Sequence, residues 1–97
     1  MAQKPVTVTI GSSITVSPDP VQVKKNQDTI AWQGTSATEF SIIFPGGGEP
    51  TVNCGLQNGK WVCTAGPFQN NGSSSRFVKY DVRSGNMRLD PEVEVQT

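Results

Sequence analysis

Apolar residues recur at every second position along most of this chain, and no stretch of ten or more residues repeats them with a helical period. Successive side chains along a strand point to opposite faces, so the alternation commits the backbone to half-buried β-structure. In Val6-Thr7-Val8-Thr9-Ile10 the aliphatic side chains face one way and the threonines the other. Ile14-Thr15-Val16 resumes the pattern after Gly11-Ser12-Ser13, and Val21-Gln22-Val23 follows Ser17-Pro18-Asp19-Pro20. Two prolines, each without an N–H, keep that last segment out of any central strand. Thr29-Ile30-Ala31-Trp32-Gln33 alternates next, then Phe40, Ile42 and Phe44 share a face, and Val78, Tyr80 and Val82 share another. Val93 and Val95 mark a closing strand. Turn signals at roughly 8–12-residue spacing predict an all-β antiparallel sandwich of about seven to nine short strands. Its expected core holds Ile30, Trp32, Phe40, Ile42, Val78, Tyr80 and Val82.

The 97 residues suffice for one domain, expected to span residues 1–97. Eight basic residues balance eight acidic ones and neither sign clusters, so neither nucleic acid nor an anionic membrane is an expected partner. No apolar run approaches the ~20 residues that span a bilayer. The first five residues, Met1-Ala2-Gln3-Lys4-Pro5, lack the apolar core of a secretory signal. The chain is expected either to stay inside the cell or to be a mature form whose leader has been removed.

Histidine is absent. With two cysteines and no imidazole, a four-ligand structural zinc site has no ligand set, and the cysteine spacing is not that of a CxxC redox motif. Asn58-Gly59, midway between Cys54 and Cys63, is the strongest two-residue hairpin signal, a type I′ turn. Folding there pairs Gln57 with Lys60, Leu56 with Trp61, Gly55 with Val62 and Cys54 with Cys63. The pair beside the turn is hydrogen-bonded, so alternation makes the cysteines a close, non-hydrogen-bonded pair about 4.5 Å apart at Cα, within reach of a disulfide. The alternative, two reduced thiols, fits a reducing compartment; a disulfide leans towards a periplasmic or exported protein.

Two stretches resemble the cupredoxins, the small blue copper proteins. The first, residues 14–44, holds a strand, the Pro18-Asp19-Pro20 turn, the run Val21 to Trp32 with Lys24-Lys25 inside it, and an alternating strand opening at Phe40. The second, residues 77–95, holds Tyr80-Asp81-Val82, the loop Arg83-Ser84-Gly85-Asn86-Met87, and Pro91-Glu92-Val93-Glu94-Val95. The resemblance implies a Greek-key sandwich and puts Phe40 where a histidine ligand opens its strand, Val82 where the cysteine thiolate lies, and Met87 near the axial methionine. Type-1 copper rests on two imidazoles and a thiolate, so the resemblance implies the scaffold without its copper or electron transfer. An immunoglobulin-type sandwich is the rival, but Cys54 and Cys63 lie too close in sequence and Trp32 precedes both.

No catalytic constellation stands out, and no enzyme is expected. Ser73-Ser74-Ser75 has no histidine to activate it, and Glu92 and Glu94 read as the solvated face of the last strand. Asp90 caps a turn, Asp19 and Asp28 lie in separate turns without a ligand-dense calcium loop, and Gly46-Gly47-Gly48 lacks a phosphate loop's context. Recognition through loops at the sandwich ends remains: residues 34–38, 45–50 and 65–75. The expected partner-binding residues are Gly46, Gly47, Gly48, Phe68 and Asn70, and the expected partner is another protein, with no cofactor. Phe68 is either an interface hot spot or a lid on the sandwich. A carbohydrate- or small-ligand-binding sandwich using Trp61 or Phe68 as a platform, and a degenerate redox protein with weak metal affinity, are the alternatives.

Overall fold

The computed structural model describes residues 2–97, which form eleven strands and no helix. Strands β1 (Gln3–Ile10), β2 (Ile14–Ser17), β3 (Val21–Lys24), β4 (Thr29–Gly34) and β5 (Ser41–Ile43) precede a hairpin of β6 (Asn53–Gln57) and β7 (Lys60–Ala65). Then come β8 (Arg76–Lys79), β9 (Asp81–Ser84), β10 (Met87–Leu89) and β11 (Glu92–Gln96). The larger sheet has the order β2-β1-β4-β7-β6. Two three-stranded sheets, β3-β11-β8 and β10-β9-β5, contribute the other side of the core. They are halves of one long ribbon, because β8 runs into β9 through Tyr80 and β10 into β11 through Asp90-Pro91. The Tyr80 N–H donates to the Pro91 carbonyl at 3.0 Å across that break.

The strand count exceeds the expected seven to nine because these breaks divide two long strands, while Pro18-Asp19-Pro20 separates β2 from β3. The sheets are also not wholly antiparallel: β1 runs parallel to β4 and β3 parallel to β11. A hairpin cannot join parallel neighbours, so the intervening chain must leave the pair and return. Here the chain passes from the large sheet at β2 to the ribbon at β3 and comes back as β4. The whole is an all-β arrangement compatible with a sandwich.

Period-two patterning places the core. Val6, Val8, Val21, Val23, Val93 and Val95 are buried at alternate positions of their strands. β4 lies between β1 and β7 and buries Ile30, Ala31 and Trp32 in succession, as a covered central strand does. Trp32 meets Tyr80 edge-on at 5.3 Å between ring centroids and Phe44 at 6.3 Å; Phe44 in turn touches Tyr80 at 5.9 Å and Phe68 at 5.8 Å. Phe40, Ile42 and Val82 are buried as expected. Val78 is the exception: it packs against the core only half-buried, because β8 is the outer strand of its sheet.

Polar groups are satisfied unevenly. Asp28, buried in the β3–β4 turn, accepts from the Lys24 N–H at 2.9 Å, and that bond holds its carboxyl below the usual range. Among the described residues the Trp32 indole N–H and the Tyr80 hydroxyl are buried without a hydrogen-bond partner, and burial pushes the Tyr80 phenol up to about 12. Removing a lone buried hydroxyl abandons no partner, whereas removing a packed ring opens a cavity. Phe40→Ala is therefore expected to lower unfolding free energy by ~3 kcal/mol or more in urea titrations, and Tyr80→Phe to leave it unchanged within ~1 kcal/mol or raise it. A Phe40→Ala loss below ~1 kcal/mol would contradict this packing.

Candidate functional site

The hairpin and its disulfide form as its residues dictate. Asn58 and Gly59 take φ of 52° and 77°, as a type I′ turn requires, and Cys54 faces Cys63 with Leu56 opposite Trp61. The cysteines are bonded, with Cα atoms 4.0 Å apart. Cys54 lies at the surface whereas Cys63 is fully buried. A thiolate attacking the accessible Cys54 sulfur would have to expel the Cys63 thiolate into a dry site, a poor leaving group. The bond reads as a structural clamp. Trp61, beside it, donates its indole N–H to the Phe40 carbonyl at 2.8 Å and its backbone N–H to Ser36 at 2.9 Å. Half-buried, Trp61 uses its N–H groups to fix the 34–40 loop.

Two of the three end loops come together. Arg76 reaches Glu49 with two guanidinium nitrogens at 2.8 and 3.2 Å, and also bonds the Gln69 carbonyl. One side chain thus ties the 45–50 loop to the 65–75 loop. Phe68 is fully buried at the end of the core, and its carbonyl accepts from the Asn26 N–H at 2.7 Å. It is the lid, not a surface hot spot. Asn70 is buried as well: its amide donates to Ser74 and Val95 carbonyls, both at 2.9 Å, and its oxygen accepts from Gly72 N–H at 2.9 Å. Those bonds occupy it inside its own loop, so it is not free for a partner. Both corrections share one cause: the 65–75 loop turns Phe68 and Asn70 inward at the end of the core.

Gly46, Gly47 and Gly48 stay exposed, with Gly47 and Gly48 at φ of 68° and 75°. Beside them lies an exposed aromatic absent from the expected site, Phe77, at 56% exposure. Its signal was available, because strand alternation that turns Val78 inward turns Phe77 outward. A groove of about 360 Å³ lies between Phe44, Pro45, Gly46 and Gly47 on one side and Phe77 and Lys79 on the other. A second groove of about 580 Å³, lined by Gly48, Gln69, Asn71, Ser74 and Ser75, adjoins it across the shared Glu49–Arg76 pair.

The remaining candidates do not converge. Asp19 accepts from the Glu92 N–H at 3.0 Å, far in role from Asp28 and its Lys24 amide. Glu94 accepts from Gln22 at 3.2 Å on the outer face, and Ser73, Ser74 and Ser75 are exposed loop. Asp81, missed by sequence reasoning, is buried under Arg83 at 3.2 Å and Arg88 at 3.6 Å; the Asp-x-Arg spacing on one strand face was its only sign. No group of three or more Cys, Asp or Glu side chains is placed to hold a metal ion among the described residues. Phe40 and Val82 are carbon side chains packed in the core, and Met87 packs half-buried against it. No family model, curated protein or solved structure significantly matches the chain.

Two measurements check the hairpin. Aerobically purified protein should carry no free thiol, and dithiothreitol should reduce it at least tenfold more slowly when native than when unfolded, since the leaving sulfur is buried. Gly59→Val should destabilise the protein by ~1–2 kcal/mol with the bond intact, because a β-branched residue resists positive φ. Rapid native reduction would contradict the clamp.

Proposed function

We propose that this chain is a non-catalytic, copper-free module with a cupredoxin-like Greek-key sandwich, and that it binds another protein through the end where the 45–50 loop meets β8. The observation that carries the reading is Phe77. An aromatic more than half exposed on a strand, flanked by Gly46, Gly47 and Lys79, has the make-up of an interface anchor. The Glu49–Arg76 pair fixes the loops around it before any partner arrives, so little order remains to be imposed on binding.

The scaffold reading draws support from the strand order. A chain that crosses between sheets at a Pro-rich turn, with β1 parallel to β4 and β3 parallel to β11, is consistent with the resemblance carried by residues 14–44 and 77–95. The residues at its ligand positions do not fit copper, since Phe40 and Val82 offer no lone pair. The carbohydrate reading is weaker, because Phe68 is buried in the core and Trp61 is half-buried with its indole N–H bonded to the Phe40 carbonyl.

Affinity capture from cells that make the protein, using wild type and Phe77→Ser side by side, tests this function. A discrete partner should be retained by wild type and lost about 30-fold or more by the variant, the loss of a hot-spot side chain, with thermal stability unchanged. Equal capture by both proteins, or saturable binding of a glycan, would overturn the reading.

A further inference from the structure

The strand β6 is an open edge of the large sheet: β7 pairs with one side of it, and among the described residues nothing pairs with the other. Natural proteins block such edges with charge, proline or brevity, and the other free edges here follow that rule. β2 ends at Pro18, β3 lies between Pro20 and Lys25, β5 is three residues long, and β8 carries Arg76 and Lys79. β6 is different. Asn53-Cys54-Gly55-Leu56-Gln57 has neither charge nor proline, and Leu56 is 61% exposed.

We infer that β6 pairs antiparallel with β6 of a second copy, joining two five-stranded sheets into one of ten. The hairpin register decides which backbone groups are offered. Gln57 and Gly55 spend their N–H and C=O groups on Lys60 and Val62, so Cys54 and Leu56 direct theirs outward. Centred on Gly55, a two-fold axis sets Cys54 of each copy against Leu56 of the other. All four outward-facing residues then form hydrogen-bonded pairs, the self-matching that an isologous dimer requires. Each exposed Leu56 gains the other copy's exposed Cys54 as its cross-strand neighbour on one face. The choice of a second copy over an unrelated strand rests on this self-matching register, together with a segment that carries no charge of its own, so two copies pair without like charges directly opposed within it.

Sedimentation velocity over a wide concentration range tests this, with Leu56→Lys and Gly55→Cys variants of the full chain. Wild type should shift from the monomer mass to twice that mass. Leu56→Lys, which places two like charges diagonally across the junction, should weaken the dimer at least about tenfold. Gly55 faces its own copy as a non-hydrogen-bonded pair about 4.5 Å apart, and no atom lies within 4 Å of where its Cβ would stand. Gly55→Cys should therefore give a dimer covalently linked at position 55 under mild oxidation, with Cys54–Cys63 retained. Wild type that stays monomeric throughout overturns the inference. Association that Leu56→Lys leaves unchanged overturns it too, as does association that Gly55→Cys fails to trap.

Discussion

The packing of Trp32 against Tyr80 and Phe44 is the contact on which the rest of the architecture depends. Trp32 projects from β4, the central strand of the large sheet, and Tyr80 sits at the joint of the opposing ribbon. Phe44 closes the group and passes the contact on to Phe68. Two layers of strands cannot be held apart at a fixed spacing unless large side chains fill the gap at near-crystalline density. The filling carries a cost: among the described residues two polar atoms, on Trp32 and Tyr80, lie buried without partners, each worth about 1–3 kcal/mol against folding. Aromatic area and edge-on geometry offset it.

What could be read from the sequence was governed by local physics. The β6–β7 hairpin follows residue for residue from Asn58-Gly59 and from the period of two, because a two-residue turn fixes the register completely. Core positions such as Ile30, Phe40 and Val82 were legible for the same reason. Phe68 and Asn70 were not. Whether a loop folds over the end of a β core depends on distant segments, here on the Val95 carbonyl that holds Asn70 and the Asn26 amide that holds Phe68. A polar, glycine-rich stretch carries no local mark of that outcome. Phe77 is the opposite case, since alternation alone places it outside; a search confined to loops passes over an aromatic on a strand.

The division between a closed interior and an open exterior shapes the functional account. Aromatic and aliphatic side chains fill the inside, and the disulfide clamps one corner with its leaving sulfur buried. Chemical opportunity therefore lies on the surface. One end displays Phe77 between ordered loops, and the far edge of the large sheet displays an unprotected strand. The two surfaces are distinct and use different physics, side-chain burial in one and backbone pairing in the other.

Native-state hydrogen exchange measures the central claim, that the β4 core holds the two layers together. Amides of Ile30, Ala31 and Trp32 should exchange only through global unfolding, with free energies equal to the stability from denaturant titration, together with those of Val93 and Val95. Exchange of the β4 amides through a lower-energy local opening, while β11 stays protected, would show that the layers are stable apart and would contradict the account.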